Sequence, residues 1–111
     1  MRPTTRSIGF SKSIVLHESG FTDEALANLD GILSFIASNY PSIYDAFQSR
    51  LRSVVARIGD WPESAQEVAD RPGVRVAPLV RYPYKVFYRS TGQVIEILYI
   101  HHAARDERGG T

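Results

Sequence analysis

Residues 84–100 read Tyr84-Lys85-Val86-Phe87-Tyr88-Arg89-Ser90-Thr91-Gly92-Gln93-Val94-Ile95-Glu96-Ile97-Leu98-Tyr99-Ile100. Two runs rich in β-branched and aromatic residues flank a polar connection, Ser90 to Gln93, in which Gly92 can take a positive φ. This pattern predicts a β-hairpin. The second run is almost continuously apolar, with Glu96 its one charge. Such a run predicts a central strand covered on both faces.

Working upstream, Pro72-Gly73 opens a third period-two segment, in which Val74, Val76 and Leu79 alternate with Arg75 and Ala77. Pro78 lacks an N–H, which predicts a bulge or an edge position. Arg81-Tyr82-Pro83 predicts a bend, and Glu63–Pro72 a loop or one weak helical turn. Three antiparallel strands therefore fill the C-terminal half.

Before them, the period is helical. Thr22 is a good N-cap, and Asp23 and Glu24 suit the positive end of a helix dipole. Leu26, Leu29, Ile32 or Leu33, and Ile36 make one face. Asn39-Tyr40-Pro41-Ser42 reads as a turn. A second helix is predicted over 42–58, with Ile43, Phe47, Leu51, Val54, Val55 and Ile58 on its apolar side. Gly59 and Pro62 are expected to stop it, and Trp61 to plug the open end of the helical hairpin. Ile14-Val15-Leu16 predicts a first strand over Ser13–His17, broken by Gly20. Residues 1–12 read as a flexible extension, 13–106 as one domain and 107–111 as a loose tail. The fold class is α+β: a two-layer β-α-α-β-β-β domain whose helical hairpin packs on a small antiparallel sheet.

The chain has 111 residues, 43% hydrophobic and 23% charged, which excludes a disordered or low-complexity protein. The absence of cysteine excludes disulfides, thiolate catalysis and Cys-ligated metals. No apolar run is long enough for a membrane span, and no h-region follows the basic start, so a cytoplasmic protein is expected. Basic and acidic residues number 13 and 12, but they are unevenly placed. Arg71, Arg75, Arg81, Lys85, Arg89 and Arg105 face only Glu96 across residues 71–105, which suits an anionic partner. The plain alternative is a solvated strand face.

Of three histidines, His17 has no evident role, and adjacent His101 and His102 point to opposite faces of a strand. No metal or cofactor is expected. Arg81, Lys85, Arg89, His102 and Arg105 lie on or beside neighbouring strands. With His102 on the side of Lys85 and Arg89, the group has the chemistry to hold a phosphodiester and move a proton. The alternative is a basic sheet face with a strand-end histidine capped by Asp106.

Arg81-Tyr82-Pro83-Tyr84-Lys85-Val86-Phe87-Tyr88-Arg89, then Val94 to Ile100, then His102-Ala103-Ala104-Arg105-Asp106, resemble the RelE/ParE family of bacterial type II toxins. The resemblance covers residues 14–106, and its C-terminal third is the specific part. It implies a toxin neutralised by a small cognate antitoxin, ParD-like or similar, in a hetero-oligomer. The "H-x-A-R-D" ending is similar to the ParE branch, which implies inhibition of DNA gyrase without catalysis. The target-binding residues would then be Arg81, Lys85, Arg89, His102 and Arg105. A RelE-like alternative implies a ribosome-dependent mRNA endonuclease using Arg81, Lys85, His102 and Arg105. A third is a degenerate, non-toxic partner-binding module. Phe35, Tyr40, Tyr44, Phe47 and Tyr88 are the expected antitoxin-binding residues, since so small a core cannot hold every aromatic.

Overall fold

The computed structural model describes residues 5–6, 18–91 and 94–103. The order is β1 (Thr5–Arg6), β2 (Glu18–Thr22), α1 (Asp23–Asn39), a 3-10 turn (Pro41–Ile43), α2 (Tyr44–Asp60), a second 3-10 turn (Pro62–Ser64), β3 (Gln66–Glu67), β4 (Val74–Pro78), β5 (Tyr84–Thr91) and β6 (Val94–His102). The strands form one sheet in the order β1-β2-β6-β5-β4-β3. From β3 onward all pairs are antiparallel, but β2 runs parallel to β6. The sheet is therefore mixed, not purely antiparallel. A strand joined to its partner by most of the chain is free to run either way.

β2 runs through the point where Gly20 suggests a break. It spans Glu18–Thr22, with Gly20 inside it and paired to Glu96. The β-type run Ser13–His17, including His17, lies outside the described residues. Thr5–Arg6, in the stretch expected to be an extension, pairs with Phe21 and Thr22. The rest of 1–12, the Gly92-Gln93 connection, Arg105 and the 107–111 tail fall outside the described residues.

Thr22 closes β2 and opens α1. Its Oγ1 accepts from the Ala25 N–H at 3.1 Å and donates to the Leu98 carbonyl at 2.8 Å. Ala25, Leu29 and Ile36 of α1 pack with Phe47, Leu51, Val55 and Ile58 of α2 against Val86, Tyr88, Ile95, Ile97 and Ile100 of the sheet. The second helix continues through a buried Gly59 to Asp60, so Gly59 is not its stop. Trp61 caps that end but is 64% exposed, so it does not plug the hairpin. The end is sealed by backbone instead. The Tyr88 hydroxyl donates to the Pro62 carbonyl at 2.6 Å, and Arg75 Nη1 donates to the Ala65 carbonyl at 2.7 Å.

Pro78 lies where β4 runs past its short neighbour. β3 covers only Arg75 and Val76, so the missing N–H breaks no ladder. The two tyrosines around Pro83 pack edge-on to Phe47, with ring centroids at 5.2 Å for Tyr82 and 5.8 Å for Tyr84. They lock α2 onto the sheet.

Candidate functional site

One face of the sheet carries the helices; the other does not. Side chains alternate along a strand, so the register sorts them. Val86 and Tyr88 face the helices with Ile100 and Ile97, their partners on β6. Lys85, Phe87 and Arg89 therefore point the other way, paired with His101, Tyr99 and Glu96. On this outer face Phe87 and Tyr99 stack at 4.7 Å, and Tyr99 and His101 at 4.6 Å. The Arg71 guanidinium lies 5.4 Å from the Tyr99 ring centre. Arg89 Nη2 meets Glu96 Oε1 at 3.1 Å. Phe87 and Val74 are buried here, apart from the helix-facing cluster. The result is a half-buried ring column flanked by Arg71, Lys85 and Arg89. It is a surface able to meet anions and flat groups.

Of the five residues expected to meet the target, Arg105 lies outside the described residues, and the other four are not gathered in one place. Lys85 and Arg89 share the outer face. Arg81 is exposed in the bend before β5. His102 pairs with Tyr84 on the helix side, its ring edge-on to that tyrosine at 5.3 Å. The cause is a β-bulge. Phe87 pairs with Tyr99 but Tyr88 with Ile97, so Leu98 is an extra residue in β6. Unbroken alternation from Ile97 would have turned His102 to the face of Lys85; the bulge turns His101 there instead. His101, Tyr99 and Phe87 were the residues that sequence reasoning missed. The adjacency of Tyr99 and His101 to Lys85 depends on Leu98, and nothing in the sequence marks that bulge.

The five aromatics expected at the antitoxin surface also divide. Phe47 is 1% exposed and Tyr88 fully buried, so both belong to the core. Phe47 is held by the two tyrosines of the bend, and Tyr88 by its bond to Pro62. Tyr44 is half-buried against the core. Phe35 and Tyr40 are 51% and 56% exposed, and their rings lie 6.0 Å apart at the end of α1. Phe35 borders a groove of about 690 Å³ between α1 and the ends of β5 and β6, lined also by Asn28, Gly31, Tyr84, Ile100 and His102. Asn28 Oδ1 accepts from the Ile100 N–H in its wall at 2.9 Å.

Burial pushes the Tyr88 phenol above its usual 10.0, against the opposing effects of the Arg75 guanidinium and a backbone hydrogen bond with Ala65. Burial likewise raises Tyr84. Both phenols are neutral at physiological pH. Among the described residues, no group of three or more His, Asp or Glu side chains is placed to hold a metal ion, and no helix is long and apolar enough to cross a membrane.

A family model described as the ParE toxin of the type II toxin-antitoxin system, parDE, matches residues 20–107. No curated protein matches the chain. Among solved structures, a chain of the chromosomal ParDE TA system from P. aeruginosa is similar at 23% identity and a TM-score of 0.58, over 78% of this chain and 96% of that one. The isolated E. coli RelE toxin is similar at 15% identity and a TM-score of 0.52, over 82% of this chain and 88% of that one. At these identities the structural likeness establishes the fold.

Proposed function

The chain belongs to the ParE toxin family of type II toxin-antitoxin systems, within the RelE/ParE fold, and on that premise we propose that it is a cytoplasmic toxin that inhibits DNA gyrase without catalysis of its own. A cognate antitoxin, ParD-like or similar, holds it silent in a hetero-oligomer. The toxin domain spans 13–106. The observation that carries this reading is the ParE match over residues 20–107, which includes the Arg81–Arg89 and His102–Asp106 segments. Of the proposed target-binding residues, Lys85 and Arg89 would meet gyrase or its DNA from the uncovered sheet face. Arg81 and His102 would reach it from the periphery, and Arg105 is proposed to join them from outside the described residues. Phe35, Tyr40 and Tyr44 would contribute to the antitoxin contact. Purified protein should block gyrase supercoiling and trap cleaved DNA. Unchanged supercoiling and no trapped DNA at micromolar excess would overturn it.

The ring column supports a second reading, a RelE-like mRNA endonuclease, because a base stacks readily on Tyr99 or His101 between cations. In that reading Arg81, Lys85, His102 and Arg105 do the chemistry, with His102 acting across the strand end. Discrete cuts in translated mRNA after induction, lost in His102→Ala, would favour it over gyrase inhibition. Normal growth on expression without antitoxin would instead indicate a non-toxic binding module.

A further inference from the structure

The outer face of the sheet carries no helix, yet Val74 and Phe87 on it are each only 7% exposed. Neighbours on the face itself close over Phe87. Its ring lies 4.7 Å from that of Tyr99 and 5.8 Å from that of His101. A further group arrives from the sheet's edge. Arg71 stands in the turn between β3 and β4, yet its guanidinium lies over the Tyr99 ring of β6, with β5 in between. That turn is well braced. Val68 N–H donates to the Val74 carbonyl at 2.8 Å, Val74 N–H to the Arg71 carbonyl at 3.0 Å, and Gly73 N–H to Glu67 Oε2 at 2.8 Å. Gly73 has a φ of +86°, which glycine takes without strain.

Three features define what this face can take. The first is charge. β4, β5 and β6 hold one acid, Glu96, and Arg89 is bonded to it at 3.1 Å. The turn adds Asp70, next to Arg71 in the chain. Arg71, Lys85 and Arg89 therefore meet two acids, one already bonded, and the surplus is positive. The second is the rings. Those of Tyr99 and His101 are half-buried, 4.6 Å apart and 27° from parallel. A stack of this kind extends readily to another flat ring. The third is what the face lacks. Of the exposed large apolar side chains, Phe35, Tyr40, Trp61, Val80 and Val94, only Val94 belongs to β5 or β6. A protein interface is built around an apolar centre, and none is exposed on these strands. A duplex hides the faces of its bases, so it would use the cations and leave the rings idle. An unpaired strand uses both.

We infer that the outer face binds unpaired DNA directly, with one base stacked on the Tyr99–His101 pair and the flanking phosphates on Arg71 and Lys85. The inference rests on the gyrase reading above for the source of the strand, a stretch of the DNA that gyrase engages. It deepens that reading by assigning the contact to nucleic acid rather than to the gyrase polypeptide. It also adds Arg71, which sequence reasoning left as one basic residue among several. Arg71 sits over Tyr99 in the free protein and anchors a phosphate once the strand is bound. The contact is binding without cleavage, since His102 lies on the other side of the sheet, beside Tyr84.

The test is fluorescence anisotropy of labelled (dT)20, (rU)20 and a DNA duplex of the same length, titrated with the full chain at low and high salt. The variants are Tyr99→Leu, Tyr99→Phe and Arg71→Ala, each checked for folding by circular dichroism. The wild type should bind (dT)20 about tenfold more tightly than duplex. Tyr99→Leu should weaken (dT)20 binding about tenfold, and Tyr99→Phe, which keeps the ring, should restore it. Arg71→Ala should weaken binding and lower the salt slope by about 0.7, one phosphate contact on a single strand, a change that a purely structural role would not produce. Equal affinity for duplex and (dT)20, or wild-type affinity in both Tyr99→Leu and Arg71→Ala, overturns the stacking site. Tighter binding of (rU)20 than of (dT)20 overturns DNA as the source of the strand. No binding by the wild type overturns the inference and leaves the gyrase reading to the supercoiling assay. Binding of (dT)20 with supercoiling unaffected supports the site and overturns the gyrase reading instead.

Discussion

Asn28 Oδ1 accepts the Ile100 N–H at 2.9 Å, across 72 residues of chain. β2 pairs with β6 only as far as Ile97. Beyond that point β6 runs on with an open edge, and a helix side chain stands where a neighbouring strand would be. Asn28→Leu removes the acceptor and strands a buried donor. The expected loss is about 1–3 kcal/mol. Denaturant unfolding should show it, and hydrogen exchange should quicken at the Ile100 amide. Unchanged exchange there would refute the role given to Asn28.

Thr22 serves two elements at once, as the cap of α1 and as a donor to the bulged Leu98. Thr22→Val keeps the shape and loses both bonds, which should cost about 1–3 kcal/mol. Thr22→Ser should recover most of it. Equal melting temperatures for the two variants would show that the hydroxyl contributes nothing.

Tyr88 sets an alkaline limit. Its folded-state pKa is raised by burial, so the folded protein holds the phenolic proton more tightly than the unfolded chain does. The stabilisation is complete below the ordinary value of 10.0 and is lost as pH rises through the folded-state value. Tyr84 acts in the same direction. Tyr88→Phe should therefore be less stable at neutral pH by about 1 kcal/mol, through the lost bond to Pro62. Above pH 10.0 its stability should fall less steeply than that of the wild type. Parallel curves would contradict the assignment.

Arg89 and Glu96 form an exposed pair, with 49% and 24% of their side chains accessible. Such pairs contribute at most about 1 kcal/mol. Arg89→Ala should hardly change thermal stability, yet relieve growth inhibition when combined with Lys85→Ala. His101→Ala should also relieve it more than His102→Ala, because only His101 shares the face of Lys85. The reverse ranking in a growth assay would move the target to the other side of the sheet.

Period alone made both helices and the last three strands legible, because each element repeats its apolar residues without interruption. Thr22 was readable as a cap from its own chemistry. Gly20 was misleading: local propensity reads it as a break, but pairing with β6 keeps it in a strand. The outer face could be half read. Lys85 and Arg89 are four apart in one strand and need no further information. The side on which each histidine falls depends on one extra residue at Leu98, and only the pairing of two strands reveals it. The aromatics could not be sorted by counting either. Tyr88 is buried because its hydroxyl finds the Pro62 carbonyl, and Trp61 is exposed because that same contact closes the hairpin's end without it.

β6 is an interior strand of the sheet and the last described strand in the chain. Both helices and every other described strand are therefore synthesised before the element that joins the two halves of the sheet. A ribosome-bound chain lacking β6 has no complete scaffold on which to display Lys85, Arg89 or the ring column. The outer face is thus withheld from the nascent polypeptide until translation has passed the last described strand.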